Sequence, residues 1–144
     1  MKILRTLPIA FATVLVLPML GGCVDTQAQL QQARTKIAAT LPAPYFEDLV
    51  TEAVEIDGDR LVLRVRSPAG DAAKTREAAG FDTLKESEQF ALRELCALPA
   101  IMPLTDTDAI LVRRFVDRHD AVFFDVELPA RECLKPPADA PAQP

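Results

Sequence analysis

Residues 51–67 read TEAVEIDGDRLVLRVRS, two runs of alternating character on either side of Asp57-Gly58-Asp59. In the second run Leu61, Leu63 and Val65 fall on one side and Arg60, Val62, Arg64 and Arg66 on the other, the period of two that belongs to a strand with one face on a core. Val54 and Ile56 of the first run join the apolar side. Gly58 is free to take the positive φ that a tight hairpin turn demands. Pro68 and Gly70 close the unit, so the expected building block is an antiparallel hairpin covered on one side.

Upstream, residues 27–41 contain no Gly or Pro and carry Leu30, Ala33, Ile37 and Leu41 at helical spacing, which predicts a helix stopped by Pro42 and Pro44. Tyr45 and Phe46 then read as aromatics covering the core rather than as an exposed ligand platform. Downstream, residues 71–80 are alanine-rich, with Asp71 as a helix N-cap and Gly80 as an interruption. Residues 81–98 form the surer helix, with Leu84, Ala91, Leu95 and Leu98 on one face and Phe90, Leu92 and Cys96 widening it. Pro99 and Pro103 end it. Residues 109–118 and 121–128 make a second hairpin around His119-Asp120, with Val122, Phe124, Val126 and Leu128 inward and Phe123, Asp125 and Glu127 outward. Ile110, Leu111 and Val112 are consecutive, which predicts a bulge or an interior position for that strand. The fold class is α+β: a small four-stranded, mainly antiparallel sheet with helices packed on one face, in the order α-β-β-α-β-β, forming one domain over residues 30–135. The pairing across the central helix stays open between parallel and antiparallel.

At the amino end Lys2 and Arg5 precede an uncharged run, LPIAFATVLVLPML over residues 7–20, which is shorter than a membrane span of roughly 20 residues and is broken by Pro8 and Pro18. Residues 1–22 are therefore expected to be a signal peptide. Leu20-Gly21-Gly22-Cys23 resembles the bacterial lipobox, which implies cleavage before Cys23, a diacylglycerol thioether on its sulfur and acylation of the new amino group. A single acyl chain contributes about 0.8 kcal/mol per buried methylene and binds marginally, whereas three anchor durably. Val24 rather than Asp follows the cysteine, so the expected location is the outer membrane, lipid-anchored and facing the periplasm; Asp25 one place later leaves inner-membrane retention open. Residues 23–29 would be a lipidated linker, and residues 136–144 a disordered tail rich in Pro and Ala.

A composition that is 49% apolar and 26% charged excludes wholesale disorder and a multispan membrane protein. Net charge is −5; loss of Lys2 and Arg5 takes the 16 basic residues to 14 against 21 acidic ones, a net −7. That sign is wrong for holding a phosphate backbone, and no nucleic-acid partner is expected. With Cys23 lipidated, Cys96 and Cys133 remain as an even pair in an oxidising compartment, so a disulfide is expected in preference to two free thiols. In the chain-entropy account it contributes about 4 kcal/mol. Two cysteines with only His119 between them do not make a zinc set, and no metal or other cofactor is expected. His119, the sole imidazole, falls at a hairpin tip without a Gly-x-Ser-x-Gly elbow, and there is no glycine-rich phosphate loop or CxxC pair, so catalysis is not expected. Arg60, Arg64 and Arg66 line the outer face of one strand, and Arg113 with Arg118 would extend that basic surface if the second hairpin lies alongside. This face is the candidate partner-binding surface; in the plainer account the arginines solvate the sheet and pair with Glu and Asp of the neighbouring strand.

TLPAPYFEDLVTEAVEI (40–56), LVLRVRSP (61–68), LCALP (95–99) and ILVRRFVDRHDAVFFDVELPARECL (110–134) resemble small lipid-anchored proteobacterial proteins related to the AspS-type pilotins of type II secretion. The resemblance covers about residues 37–134 and implies a strand-strand-helix-strand-strand arrangement, a disulfide at the positions of Cys96 and Cys133, and binding of a helix from an outer-membrane secretin. It carries over no partner-binding residue. The leading expectation is a noncatalytic periplasm-facing lipoprotein that binds another envelope protein, with a secretion-system assembly factor as its narrower form. The alternative is a peptidoglycan- or ligand-binding module or an inhibitor of a wall-degrading enzyme, and a third is a hydrolase whose site assembles from loops. An apolar groove beside a helix favours the first, a rigid polar protrusion favours inhibition, and a closed concavity around His119 favours catalysis.

Overall fold

The computed structural model describes residues 25–135; the expected signal peptide, Cys23 and the tail from residue 136 lie outside them. Five strands, β1 (Ala43–Pro44), β2 (Val50–Asp57), β3 (Arg60–Arg66), β4 (Ile110–Val116) and β5 (Val122–Pro129), form one sheet in which spatial order follows chain order. β1 with β2, β2 with β3, and β4 with β5 are antiparallel, while β3 and β4 are parallel, in register from Arg60 opposite Ile110 to Arg66 opposite Val116. The sheet is thus mixed and five-stranded rather than four-stranded and mainly antiparallel. Residues 67–109 carry the chain back over one face to the end where β3 began, and such a crossover yields a parallel pair. The extra strand, β1, is too short to show a period, and Pro44, which lacks an amide donor, is tolerated because β1 is an edge.

Among the described residues three helices, α1 (Thr26–Ala38), α2 (Ala72–Glu77) and α3 (Phe81–Ala91), pack with short 3-10 segments at Leu92–Ala97, Met102–Leu104 and Ala130–Leu134. α1 begins earlier than expected because Asp25 caps it, its Oδ1 accepting from the amides of Gln27 (3.0 Å) and Ala28 (3.2 Å), so residues 26–29 belong to the domain and not to a linker. It ends at Ala38, three residues before Leu41. The expected helix over 81–98 is α-helical to Ala91 and then tightens to 3-10 geometry before Pro99. Leu30, Ala33 and Ile37 of α1 are buried against Val54, Leu61, Leu63 and Val65, the apolar side of the first hairpin.

For the second hairpin the expected facing of Val122 and Phe123 is corrected, and the expected interior position of the first strand is met. Pairing passes from Phe115 opposite Phe124 to Val116 opposite Val122, so Phe123 is the extra residue of a bulge. That shift buries Phe123 and leaves Val122 exposed, the reverse of strict alternation. Ile110-Leu111-Val112 run together because β4 is interior and covered on both faces: Leu111 joins the main core, while Val112 and its neighbour Val62 lie on the opposite face, at 0% and 2% exposure.

Candidate partner-binding site

Val62 and Val112 share their face with Arg60, Arg64, Arg66 and Arg114, whose aliphatic stems cover them while the guanidinium heads reach carboxylates. Arg60 pairs with Glu127, two strands away, and Arg114 forms a bidentate pair with Asp125 at 2.7–3.2 Å. A bulge between Thr51 and Ala53 swings Glu52 onto this face, where it meets Arg64 (2.8 Å) and, through both oxygens, Arg66 (2.5 and 2.8 Å). Arg66 also donates to the carbonyl of Asp117 (2.7 Å) and to Asp120 Oδ1 (2.5 Å). The three arginines singled out from the sequence therefore do lie together, each already engaged by a carboxylate. Hydrogen bonds from Arg66 hold the carboxyls of Glu52 and Asp120 below their ordinary values.

Arg113 does not extend this surface. Its register opposite Leu63 and Val126 turns it to the core side, where it is 4% exposed. There its Nη1 donates to Tyr45 Oη (2.6 Å) and lies 3.4 Å from Glu88 Oε2, and its guanidinium sits 4.6 Å above the Tyr45 ring. The Tyr45 hydroxyl donates to the same Glu88 oxygen. Burial, followed by that hydrogen bond, pushes the Tyr45 pKa up, with Arg113 opposing. Tyr45 covers the core as expected; Phe46 is largely exposed instead.

Glu88 also lines an apolar cleft of about 140 Å³ with Leu49, Thr75, Leu84, Phe115, Phe123 and Phe124. Ser67 and Gly70 complete it. α3 supplies Leu84 and Glu88 along one wall, and the ends of β4 and β5 supply the aromatic floor. Phe115 and Phe124 stack at 4.7 Å, and Phe81 meets Phe124 edge-on at 5.6 Å. A Cβ on Gly70 would stand 2.7 Å from Phe123 Cζ and 2.6 Å from Ser67 Oγ, so only glycine lets Phe123 pack against this backbone. Phe123, Glu88 and Gly70 are the site residues that sequence reasoning missed. The bulge that turns Phe123 inward leaves no local signal, and Glu88 meets Arg113 and Tyr45 only after folding.

His119 is exposed at the β4–β5 turn and is not part of the cleft; Arg118 Nε donates to its Nε2 at 3.0 Å. The turn is organised by Asp117, whose Oδ1 accepts from the amides of His119 (2.7 Å) and Ala121 (3.0 Å) and whose Oδ2 accepts from the amide of Ala72 (3.0 Å). Cys96 and Cys133 are bonded, with Cα atoms 5.4 Å apart, which ties the 3-10 segment after α3 to the one after β5. Among the described residues no group of three or more His, Cys, Asp or Glu is placed to hold a metal ion. No described helix is long and apolar enough to cross a membrane.

No protein-family model and no curated protein matches the chain. Among solved structures, a Pseudomonas aeruginosa protein described as secreted superposes with a TM-score of 0.57 at 16% identity, covering 75% of this chain and 92% of that one. EpsS, the pilotin of the Vibrio vulnificus type 2 secretion system, superposes with a TM-score of 0.51 at 13% identity, covering 75% and 94%. The likeness is one of fold.

Proposed function

We propose that the chain is a noncatalytic lipoprotein, anchored through acylated Cys23 at the outer membrane and facing the periplasm, which binds another envelope protein as a pilotin-like assembly factor of a secretion system. The observation that carries this reading is the open apolar cleft between α3 and the sheet, on a fold shared with the pilotin EpsS. A helix is about 10 Å across, wider than this cleft admits whole, so a helical partner would lie along the rim and insert apolar side chains spaced i and i+3 or i+4. The exposed Leu84 stands on that rim. His119 lies on an exposed turn and does not line the cleft, which supports the noncatalytic part of the reading.

Deletion of the gene, followed by membrane fractionation, tests it. Secretin multimers are expected to disappear from the outer-membrane fraction. His119→Gln should restore them and Leu84→Arg, a change at an exposed position that leaves the core intact, should not. Multimers that persist without the protein, or full rescue by Leu84→Arg, would overturn the assembly-factor reading or the cleft, respectively.

A further inference from the structure

We infer that the anchored domain stands on the pole bearing the amino end of α1, with the cleft on the far side from the bilayer, so that its partner is taken from the periplasm and not from the membrane surface. This rests on the acylation of Cys23 proposed above. Only Val24 separates Cys23 from the helix cap Asp25, so the anchor point is at most about 8 Å from the start of the domain. The first turn of α1 is fixed to one end of the sheet: Gln27 Nε2 donates to the carbonyl of Gly58 (2.8 Å), in the turn between β2 and β3. The amide of Ile110 donates to the carbonyl of Asp59 (3.0 Å), which places the start of β4 at the same pole.

The cleft lies at the other pole. Leu49 precedes β2, Ser67 follows β3, Phe115 is near the end of β4 and Phe123 near the start of β5. From Arg60 to Arg66 the chain rises about 20 Å at roughly 3.3 Å per residue, and this separates the two poles. The anchored pole carries exposed Asp25, Asp57, Asp59 and Asp106, and its cations Arg60 and Arg131 are paired with Glu127 and Asp108. Exposed Arg34 and Lys36 of α1 and Lys74, Arg76 and Lys85 lie elsewhere on the domain, so it is the short tether at this pole, and not surface charge, that sets the orientation.

The test uses the full lipoprotein, extracted from envelopes and reconstituted on vesicles of phosphatidylethanolamine and phosphatidylglycerol containing an acceptor-labelled headgroup. With Cys23 acylated and Cys96 bonded to Cys133, a donor dye placed on Asp59→Cys or His119→Cys has a single reactive thiol. Energy transfer from position 59 is expected to exceed that from position 119 by an amount corresponding to about 20 Å of added height. Equal or reversed transfer in protein that floats with the vesicles would overturn the orientation and leave the anchor standing. Protein that lacks acyl mass and fails to float would overturn the anchor, and the orientation with it.

Discussion

Arg66 joins three segments through one guanidinium: Glu52 of β2, the main chain at Asp117, and Asp120 in the β4–β5 turn. Arg66→Gln keeps the stem over the sheet and removes the charge, and is expected to destabilise the fold by about 1–2 kcal/mol, read from the urea midpoint at unchanged m-value. Reversing Arg64 and Arg66 to Glu would instead set new acids against Glu52, Glu55 and Asp120, so loss of binding in that variant would report damage to the sheet. The same pairs set the acid limit. Glu52 and Asp120 are held below their ordinary pKa values of 4.5 and 3.8, chiefly by Arg66, and Asp117 below 3.8, chiefly by the amide of Ala72. A carboxyl whose pKa is lower in the folded state contributes stability that is complete above its unfolded value and is lost as pH falls through the folded one. The contribution of these three groups should therefore be intact at neutral pH and decline below about pH 4, and Glu52→Gln with Asp120→Asn should flatten that decline in urea titrations repeated across pH. At Gly70, substitution by Ala forces Phe123 to shift, with an expected loss of about 1–3 kcal/mol. A smaller cleft, seen as weaker partner capture by the folded fraction, should accompany it.

At the scale of elements, α3 is the piece held least firmly. None of its residues is buried, and its attachments are few: Phe81 on Phe124, Glu88 with Tyr45 and Arg113, and the Gln89 amide. That amide donates to the carbonyl of Glu127 (2.7 Å) and accepts from its N–H (3.4 Å), so a side chain on α3 covers part of the outer edge of β5. The amides of α3 are expected to exchange hydrogen well before those of β3 and β4, through an opening that leaves the sheet intact. The disulfide limits this opening from the helix's carboxyl end. Cys96→Ser with Cys133→Ser should lower global stability by about 2–4 kcal/mol and speed exchange in α3 more than in the sheet. Equal protection of α3 and the central strands would show that the helix opens only with the whole fold.

For the whole molecule, the sheet separates two surfaces that the sequence places in competition. Arg60→Gln with Arg64→Gln tests the outer face without adding acids, and Leu84→Arg tests the cleft; capture of the envelope partner is expected to survive the first pair and fail with the second. The reverse result would return the binding role to the arginines. Much of this architecture is legible in the chain, because local physics writes it there. Alternation over 51–67 marks the first hairpin, Gly58 takes φ +63° at its turn, and helical spacing marks Leu30, Ala33 and Ile37 as core residues. Cysteine parity pointed to the pair that the fold brings within 5.4 Å. Other features had no local cause to read. The parallel pairing of β3 with β4 depends on how residues 67–109 cross the sheet, and β1 exists only because β2 is there to accept it. Arg113 and Arg114 are adjacent, so the pleat puts them on opposite faces, but which of the two enters the core is decided by strand register. Periodicity and composition determine which elements form and what they must bury; strand register, the two bulges and the approach of α3 decide which side chains meet, because those depend on contacts between residues far apart in the chain.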